Sequence, residues 1–336
     1  MTQFKNFIGI DISKNTLDIS LITEHGEFIE LKWKNDNKEI EKSLKTLYFD
    51  YKLEKNNTLI CAEHTGHFGN KLIEVSILLE FKLWIESAYN IIHSQGLTRG
   101  KNDRVDARRI MEYAKRFFDK AILWKPLDKS IKVLQRLNSE RGLIVKDIAK
   151  YRGQLTQEEG FFDKGYFKEK KKRHNRLIKY NKKILSEIEN KIDEIIEQSP
   201  EIKNNMENIT SIDGVGKVTA IATIIATENF TKFINPRKFA CHIGCAPFRY
   251  ESGTSISSGH RVSHRANKNL KKTFHMAALS TLRTKGELRN YFDRKVEEGK
   301  NKMTVINAIR SKLVHRIFAV VKENRKYDKT YIHSLV

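Results

Sequence analysis

The chain predicts a mixed α/β domain followed by a long, mainly helical region, and three observations carry that prediction. Short runs rich in β-branched residues, separated by turn residues, fill the segment up to Glu86. Apolar residues then recur at steps of three, four and seven over residues 130–157 and 174–198, which is helical spacing. No Gly-x-Gly-x-x-Gly follows the first strand, so a dinucleotide-binding α/β fold is excluded.

Residues 7–12 (FIGIDI) and 17–22 (LDISLI) read as strands, with Lys14 and Asn15 turning between them. Glu24, His25 and Gly26 make a second turn into a third strand, FIELKW. A short helix is expected from Ile40 to Leu47. The fourth strand, residues 58–62 (TLICA), is continuously apolar and should be buried on both faces. After Gly66 a helix runs to about residue 80, and FKLWIE forms a fifth strand. The order β-β-β-α-β-α-β is that of a ribonuclease H-type sheet. A helix containing Asp103 runs to about Lys115.

The middle of the chain predicts two helices. One carries Val133, Leu137, Ile144 and Ile148 on a stripe, the other Leu177, Ile184, Ile188, Ile192 and Ile195. Joined through EEGFFDKGYF, they read as an antiparallel hairpin, serving either as a spacer or as a dimerising coiled coil. Pro200 closes this section. The remainder looks mainly helical, with one irregular Gly- and Ser-rich stretch from Gly244 to Ser263. The expected domains are therefore 1–125, 126–204 and 205–336.

Size and charge narrow the function. The chain has 336 residues, 39% of them apolar, enough for more than one core. Lys and Arg number 63 against 41 Asp and Glu, a net charge of +22, which points to a polyanionic partner. Residues 168–183 are a dense basic block that includes Lys170, Lys171, Lys172 and Arg173. The apolar runs are too short to span a bilayer and MTQFKNFIGID enters a strand directly, so neither a membrane anchor nor a signal peptide is expected. Three cysteines, Cys61, Cys241 and Cys245, cannot all pair and suit a reducing cytoplasm.

Four acids stand out. Asp11 and Glu63 emerge from apolar runs, where a charge is costly unless something pairs with it. Strands one and four are neighbours in a sheet of this type, so both carboxylates can reach one point. Asp103 and Asp106, at i and i+3 in the first turn of a helix, share a face. Four such carboxylates can hold two Mg²⁺ ions, and two such ions can drive phosphoryl transfer. Asp103 as an N-cap and Asp106 as a first-turn acid is the plainer explanation of that pair. A basic flank (Arg99, Lys101, Arg104, Arg108, Arg109) adds the opposite sign that a phosphate site needs.

Two further motifs lie downstream. In IDGVGKVTA, Gly214 and Gly216 bracket Val215 before a helical run, with Lys217 following. This is the form of a helix-hairpin-helix turn, whose backbone N–H groups can hold a nucleic-acid phosphate. The segment GCAPFRYESGTSISSGHRVSHRANKNLKK sets a serine cluster among Arg249, Arg261 and Arg265. A serine hydroxyl can attack a phosphodiester where arginines or a metal absorb the developing charge. Spacing alone does not choose among Ser252, Ser255, Ser257, Ser258 and Ser263. Cys241, Cys245, His260 and His264 could be drawn as a zinc site, but the x₃ cysteine spacing and the apolar setting of Cys245 disfavour it.

With GIDISKNTLDISL, AEHTGHFG, KNDRVDA, SIDGVGKVTAIATIIATE and GCAPFRYESG in this order, the whole chain resembles the DEDD transposases of bacterial insertion sequences, family 110, related to the Piv DNA invertases. The resemblance implies a RuvC-like, ribonuclease H-like N-terminal domain and a C-terminal transposase domain. It implies that Asp11, Glu63, Asp103 and Asp106 bind metal, Mg²⁺. It also implies that Ser252, in the pattern Pro-x₄-Ser-Gly from Pro247 to Gly253, is a nucleophile that joins covalently to DNA. It further implies a recombinase guided by a structured non-coding bridge RNA that pairs with donor and target DNA, working as a dimer of dimers in the cytoplasm. Two other readings fit the composition: a metal-dependent, structure-specific endonuclease of the Holliday-junction resolvase kind, and a non-catalytic nucleic-acid-binding protein.

Overall fold

The computed structural model describes residues 4–94, 103–252, 256–262 and 266–328, with residues 103, 248–252 and 256–261 described by backbone alone. The chain divides into two compact units, Met1–Pro126 and Leu127–Val336.

The first unit is built on a five-stranded sheet of β1 (Asn6–Ile12), β2 (Thr16–Ile22), β3 (Phe28–Lys34), β4 (Thr58–Glu63) and β5 (Lys82–Glu86), in the order β3-β2-β1-β4-β5. β1, β2 and β3 form an antiparallel meander, and β4 and β5 run parallel to β1. This is the ribonuclease H-type arrangement that the element order predicts. Period-2 alternation sorts its side chains onto two faces. Ile8, Ile10 and Ile12, with Leu17, Ile19 and Leu21, pack under α1 (Asn37–Asp50) and α2 (Asn70–Leu78) through Ile40, Leu44, Leu72 and Val75. Phe7, Leu59, Cys61 and Trp84 face the other way. They meet Ile110, Met111 and Ala114 of α4 (Asp103–Phe117); the short α3 (Ala88–His93) precedes it.

Gly9 sets how close α4 comes. A Cβ there would lie 2.3 Å from the Ala107 carbonyl oxygen and 2.3 Å from the Met111 nitrogen. The helix backbone therefore rests directly on β1, a distance only glycine permits. The Phe7 ring lies 5.9 Å from that of Phe118, just past the end of α4. With Ala107 and Met111 at Gly9, α4 runs against the direction of β1, and its first turn lies toward Asp11.

In the second unit, α5 (Lys129–Glu158) and α6 (Lys164–Glu197) pack antiparallel. Arg141 Nε donates to Glu189 at 2.8 Å, His174 Nε2 lies 3.0 Å from Gln154 Oε1, and Lys170 pairs with Glu158. Two details differ from the sequence reading. The turn is only residues 159–163. Asp163 caps the next helix by accepting from the Tyr166 N–H at 3.0 Å, so α6 begins ten residues earlier than apolar spacing implied. The basic block 168–183 thus lies on a helix, where repulsion between its charges is offset by pairs such as Lys170–Glu158. Most of the expected stripe is buried or packed on the core, including Ile148, Ile188 and Ile192, but Val133 and Leu177 are each 42% exposed and Ile131, Leu134 and Ile178 are buried in addition. The two exposed positions lie at the stripe's margin, where apolar residues one step along the helix take the core positions instead.

Beyond the hairpin come α7 (Pro200–Thr210), α8 (Lys217–Thr227), α9 (Pro236–His242), α10 (Lys268–Thr281), α11 (Glu287–Glu297) and α12 (Lys302–Lys322). Pro200 opens α7 at its first turn, a position that needs no N–H donor. The stretch 244–263, read as irregular, holds a two-stranded antiparallel hairpin, β6 (Phe248–Ser252) and β7 (Ile256–Arg261). Its Ser and Gly content lacks an apolar alternation, so its ladder was invisible to periodicity. Ile309, Leu313, Val314 and Ile317 of α12 share one core with Phe239, Phe274 and the hairpin base at Ile131, Leu134, Ile188 and Ile192. No helix among the described residues is long and apolar enough to cross a membrane.

Gly9→Ala should destabilise the first unit by at least about 1–3 kcal/mol, because neither the carbonyl nor the amide of α4 can yield without moving the helix. Gly153→Ala, inside α5 with open space around it, should instead stabilise by about 0.5–1 kcal/mol. Urea denaturation followed by circular dichroism checks both, and an unchanged Gly9→Ala midpoint contradicts the close approach.

Candidate active site

β1 and β4 are parallel and in register through Ile10 and Ala62, so the next pair in that register is Asp11 and Glu63. Both are partly buried. Asp11 is two residues past Gly9 and Glu63 two past Cys61, which places both on the α4 face at the C-terminal end of the parallel strands. α4 begins at Asp103, and Asp106 immediately precedes the buried Ala107. Asp106 Oδ1 accepts from Arg109 Nη1 at 2.8 Å, one turn along the same helix. The antiparallel run of α4 thus directs its acidic first turn toward the strand ends that carry Asp11 and Glu63.

Sequence reasoning missed two acids on this face. Asp18 is the register partner of Asp11 across the β1–β2 ladder, and it is only 2% exposed. Like charges directly opposite one another destabilise a sheet. Lys32 on β3, 3.3 Å from Asp18, supplies the compensating charge. The signal was available, since Asp18 also emerges from an apolar run in LDISLI. Glu86 ends β5 beside Glu63. It accepts from the Ser87 N–H at 2.6 Å, Asn90 Nδ2 at 3.0 Å and Tyr113 Oη at 3.3 Å. Burial first, and the nearby Glu86 carboxylate second, push the Tyr113 phenol up to about 12.

These acids present only oxygen donors, the chemistry that a hard divalent cation takes. Among the described residues, no group of three or more His, Cys, Asp or Glu side chains is set to hold a metal ion. The Asp103 side chain lies outside them. Asp11 and Glu63 share a sheet end and, like Asp106 on the facing helix, offer the donor type a cation takes, with Asp106 engaged to Arg109.

In the second unit, Ser252 ends β6 opposite Ile256. Residues Gly253, Thr254 and Ser255 lie outside the described residues, as do Ser263, His264 and Arg265. Arg249 lies on β6 and Arg261 ends β7. Just before β6, a cleft of about 680 Å³ is lined by Pro247, Asn307, Ser311, Lys312, His315 and Arg316, among others. This α12 face is not apparent from sequence, because its basic residues are interleaved with core ones. Cys245 is 1% exposed, and burial pushes its thiol up to about 11. A zinc-bound thiolate does not suit that setting.

Gly214 and Gly216 join α7 to α8. Gly214 has φ +83°, and a Cβ on it would lie 2.1 Å from Thr281 Oγ1 and 2.5 Å from the Thr281 nitrogen. Close packing against α10 therefore accounts for that glycine. Gly216 has open space around it and precedes α8 without a side-chain cap, which leaves the start of α8 accessible to a phosphate. Lys217 is paired with Asp193 of α6. In the basic block, Lys170 pairs with Glu158, Lys171 lies 3.8 Å from Glu159 and Arg173 3.5 Å from Glu169. These partners reduce the positive field at the hairpin tip, and Lys172 is exposed.

Comparison with known proteins bears on both units. Residues 8–158 match the family model of DEDD transposases of the IS110 group, and residues 206–293 match that of the transposase IS116/IS110/IS902 family. The pilin gene-inverting protein of Moraxella bovis is 25% identical over 97% of this chain and 98% of its own length. That of Moraxella lacunata is 26% identical over the same shares. A 43.6 kDa protein of insertion element IS110 from Streptomyces coelicolor is 27% identical over 36% of this chain and 29% of its own length. Among solved structures, T. thermophilus RuvC in complex with a Holliday junction substrate covers 36% of this chain and 99% of its own, with 9% identity and a TM-score of 0.26.

Lys32→Met should destabilise the first unit by about 1–3 kcal/mol, because it strands the buried Asp18 carboxylate beside Asp11. The double variant Lys32→Met, Asp18→Asn should recover much of the loss. A double-mutant cycle in urea checks this, and simple additivity of the two substitutions contradicts it.

Proposed function

The chain belongs to the IS110 family of DEDD transposases, enzymes that recombine DNA, and on that premise we propose that it is an RNA-guided recombinase of an insertion sequence. In this reading Ser252 is the nucleophile, and Asp11, Glu63, Asp103 and Asp106 hold Mg²⁺. The observation that carries it is the contact at Gly9, which turns the acidic start of α4 toward the ends of β1 and β4. When bound, the metal would stabilise charge on the attacked phosphate.

The chain's own groups do the rest. The Ser252 hydroxyl oxygen bonds to phosphorus, giving up its proton, and the DNA 3′ oxygen leaves and takes one. The product is a phosphoserine bond to the 5′ end and a free 3′ hydroxyl. A 3′ hydroxyl from the exchanged strand then reverses the step. The phosphodiester energy is retained in the serine ester, so no nucleoside triphosphate is consumed, consistent with the lack of a Gly-x₄-Gly-Lys-Ser/Thr motif. Arg249, Arg261 and Arg265, near Ser252 in sequence, would offset the charge that develops on the phosphate.

The net charge of +22 supports binding of both DNA and a structured guide RNA. The basic face of α6, including Lys170, Lys171, Lys172 and Arg173, and the turn at Gly214, Gly216 and Lys217 would carry backbone. Sequence would be read by base pairing with the guide, as in other RNA-guided systems. The working form would be a homo-oligomer, a dimer of dimers when donor and target are synapsed.

Asp11→Asn should abolish DNA cleavage and strand exchange while leaving RNA binding near wild type, and chelator should have the same effect on the wild-type protein. Strand exchange by Asp11→Asn at the wild-type rate would sink the role assigned to the acids.

Ser252→Ala should abolish the covalent protein–DNA adduct with RNA binding preserved. Labelled DNA incubated with guide RNA and Mg²⁺ is run on a denaturing gel. The wild-type protein should give a slow, protease-sensitive band that the variant lacks. Persistence of the band in the variant assigns the nucleophile to a neighbouring serine. DNA cut by both proteins with no such band indicates hydrolysis by water, as in a resolvase.

A further inference from the structure

Two packed helices of the second unit bury a cation with no acid paired to it among the described residues. α10 and α12 share the core through Phe274, Ala277 and Ala278 on one side and Ile306, Ile309 and Leu313 on the other. Arg310, on α12, is only 5% exposed. Its Nε has no hydrogen-bond partner, and no ion pair to it is found among the described residues. His275 of α10 lies near it, with a buried Nδ1 that likewise has no partner. Burial first, and the Arg310 charge second, hold that imidazole below its ordinary value.

The same groups converge on the turn that leads into β6. Asn307, one helical turn before Arg310, donates from Nδ2 to the Cys245 carbonyl at 2.8 Å. Lys271, one turn before His275, has its side-chain stem 3.5 Å from where a Cβ on Gly244 would sit. Arg310 and Lys271 both act to lower the Cys245 thiol against its burial. Two basic side chains, Lys271 and Arg310, thus flank residues 244–245 from two helices, with His275 near Arg310, and β6 begins at Phe248 and ends at Ser252.

An arginine kept only for its aliphatic stem would carry its guanidinium out to water. Arg310 is instead only 5% exposed with its Nε buried and unbonded, and a buried charge with no ion partner among the described residues is a costly feature for a fold to retain. The guanidinium is also the group whose planar fork matches a phosphate.

We propose that Arg310, with His275 and Lys271 beside it, is a phosphate-binding site that takes a backbone phosphate of the DNA strand on which Ser252 acts. The anion site rests on this cluster; its link to the reacting strand rests on Ser252 being the nucleophile. Arg310 is a positioning residue in this scheme.

The test uses the full-length protein and Arg310→Met, which keeps an apolar stem and removes the charge. Melting temperature is measured in chloride and in inorganic phosphate at equal ionic strength. Affinities for a labelled DNA duplex and for an RNA hairpin are then titrated against salt. In chloride the variant should melt at or above the wild-type temperature, because a buried, unpaired charge is gone. Phosphate should raise the wild-type melting temperature and leave the variant unmoved. DNA affinity should fall about tenfold in the variant, with the salt slope lowered by about one, and RNA affinity should hold.

A variant that melts lower and binds DNA with unchanged affinity and slope overturns the proposal, since Arg310 would then be structural. An equal phosphate response in both proteins overturns it as well, and a loss confined to RNA overturns the assignment to DNA. Should Arg310→Met fail to fold, Arg310→Lys carries the test. It keeps the charge and loses the fork, so DNA affinity should drop about threefold, and equal affinity overturns the proposal. Persistence of the covalent adduct in Ser252→Ala would displace the nucleophile without altering the phosphate-dependent melting, so the two ideas fail separately.

Discussion

Everything proposed for the first unit depends on the backbone of α4 lying against β1 at Gly9. A side chain at that position would meet the Ala107 carbonyl and the Met111 amide at 2.3 Å, and the helix would have to lift off the sheet. The apolar residues beyond it hold the helix down, since Ile110, Met111 and Ala114 pack on Phe7, Leu59 and Cys61. Glycine thus sets the distance and the core sets the direction. Together they decide that an acidic helix start faces the strand ends bearing Asp11 and Glu63.

Bringing carboxylates together costs free energy, and the fold disperses that cost in different ways. Asp18, buried opposite Asp11, is matched by Lys32, and Asp106 is matched by Arg109. Glu86 is held by a backbone amide, an amide side chain and a phenol. A divalent cation at this sheet edge would offset more of that cost, which is why metal binding and stability of the edge should be linked.

The second unit treats charge in the opposite sense. Its hairpin neutralises Lys170, Lys171 and Arg173 with acids of the same hairpin. On α10 and α12 it keeps Lys271, His275 and Arg310 together with no carboxylate paired to Arg310 among the described residues. The more numerous surface charges of α6 are therefore the weaker guide to a specific anion site, and the buried one is the stronger. Composition counts them alike; only burial and pairing tell them apart.

The strands of the first unit were legible in the sequence because turn residues punctuate short apolar runs, and each element of the meander and β4 falls within a few residues of its expected place. Asp11 and Glu63 were legible because charge in an apolar run is rare. Asp18 carried the same signal and was overlooked, and its pairing across β1 and β2 needed the register. The β6–β7 hairpin was not legible, since serine and glycine give a ladder no apolar alternation. The α5–α6 stripe was legible in most of its residues, and only its margin, where Val133 and Leu177 are exposed and Ile131, Leu134 and Ile178 are buried, was set by packing. Local sequence by itself determined which segments become strands and helices, and that four acids and a serine loop are present. Only the tertiary structure decided which charges meet, because a close approach such as Gly9 on α4, or a buried cation such as Arg310 with no acid paired to it among the described residues, exists only between elements far apart along the chain.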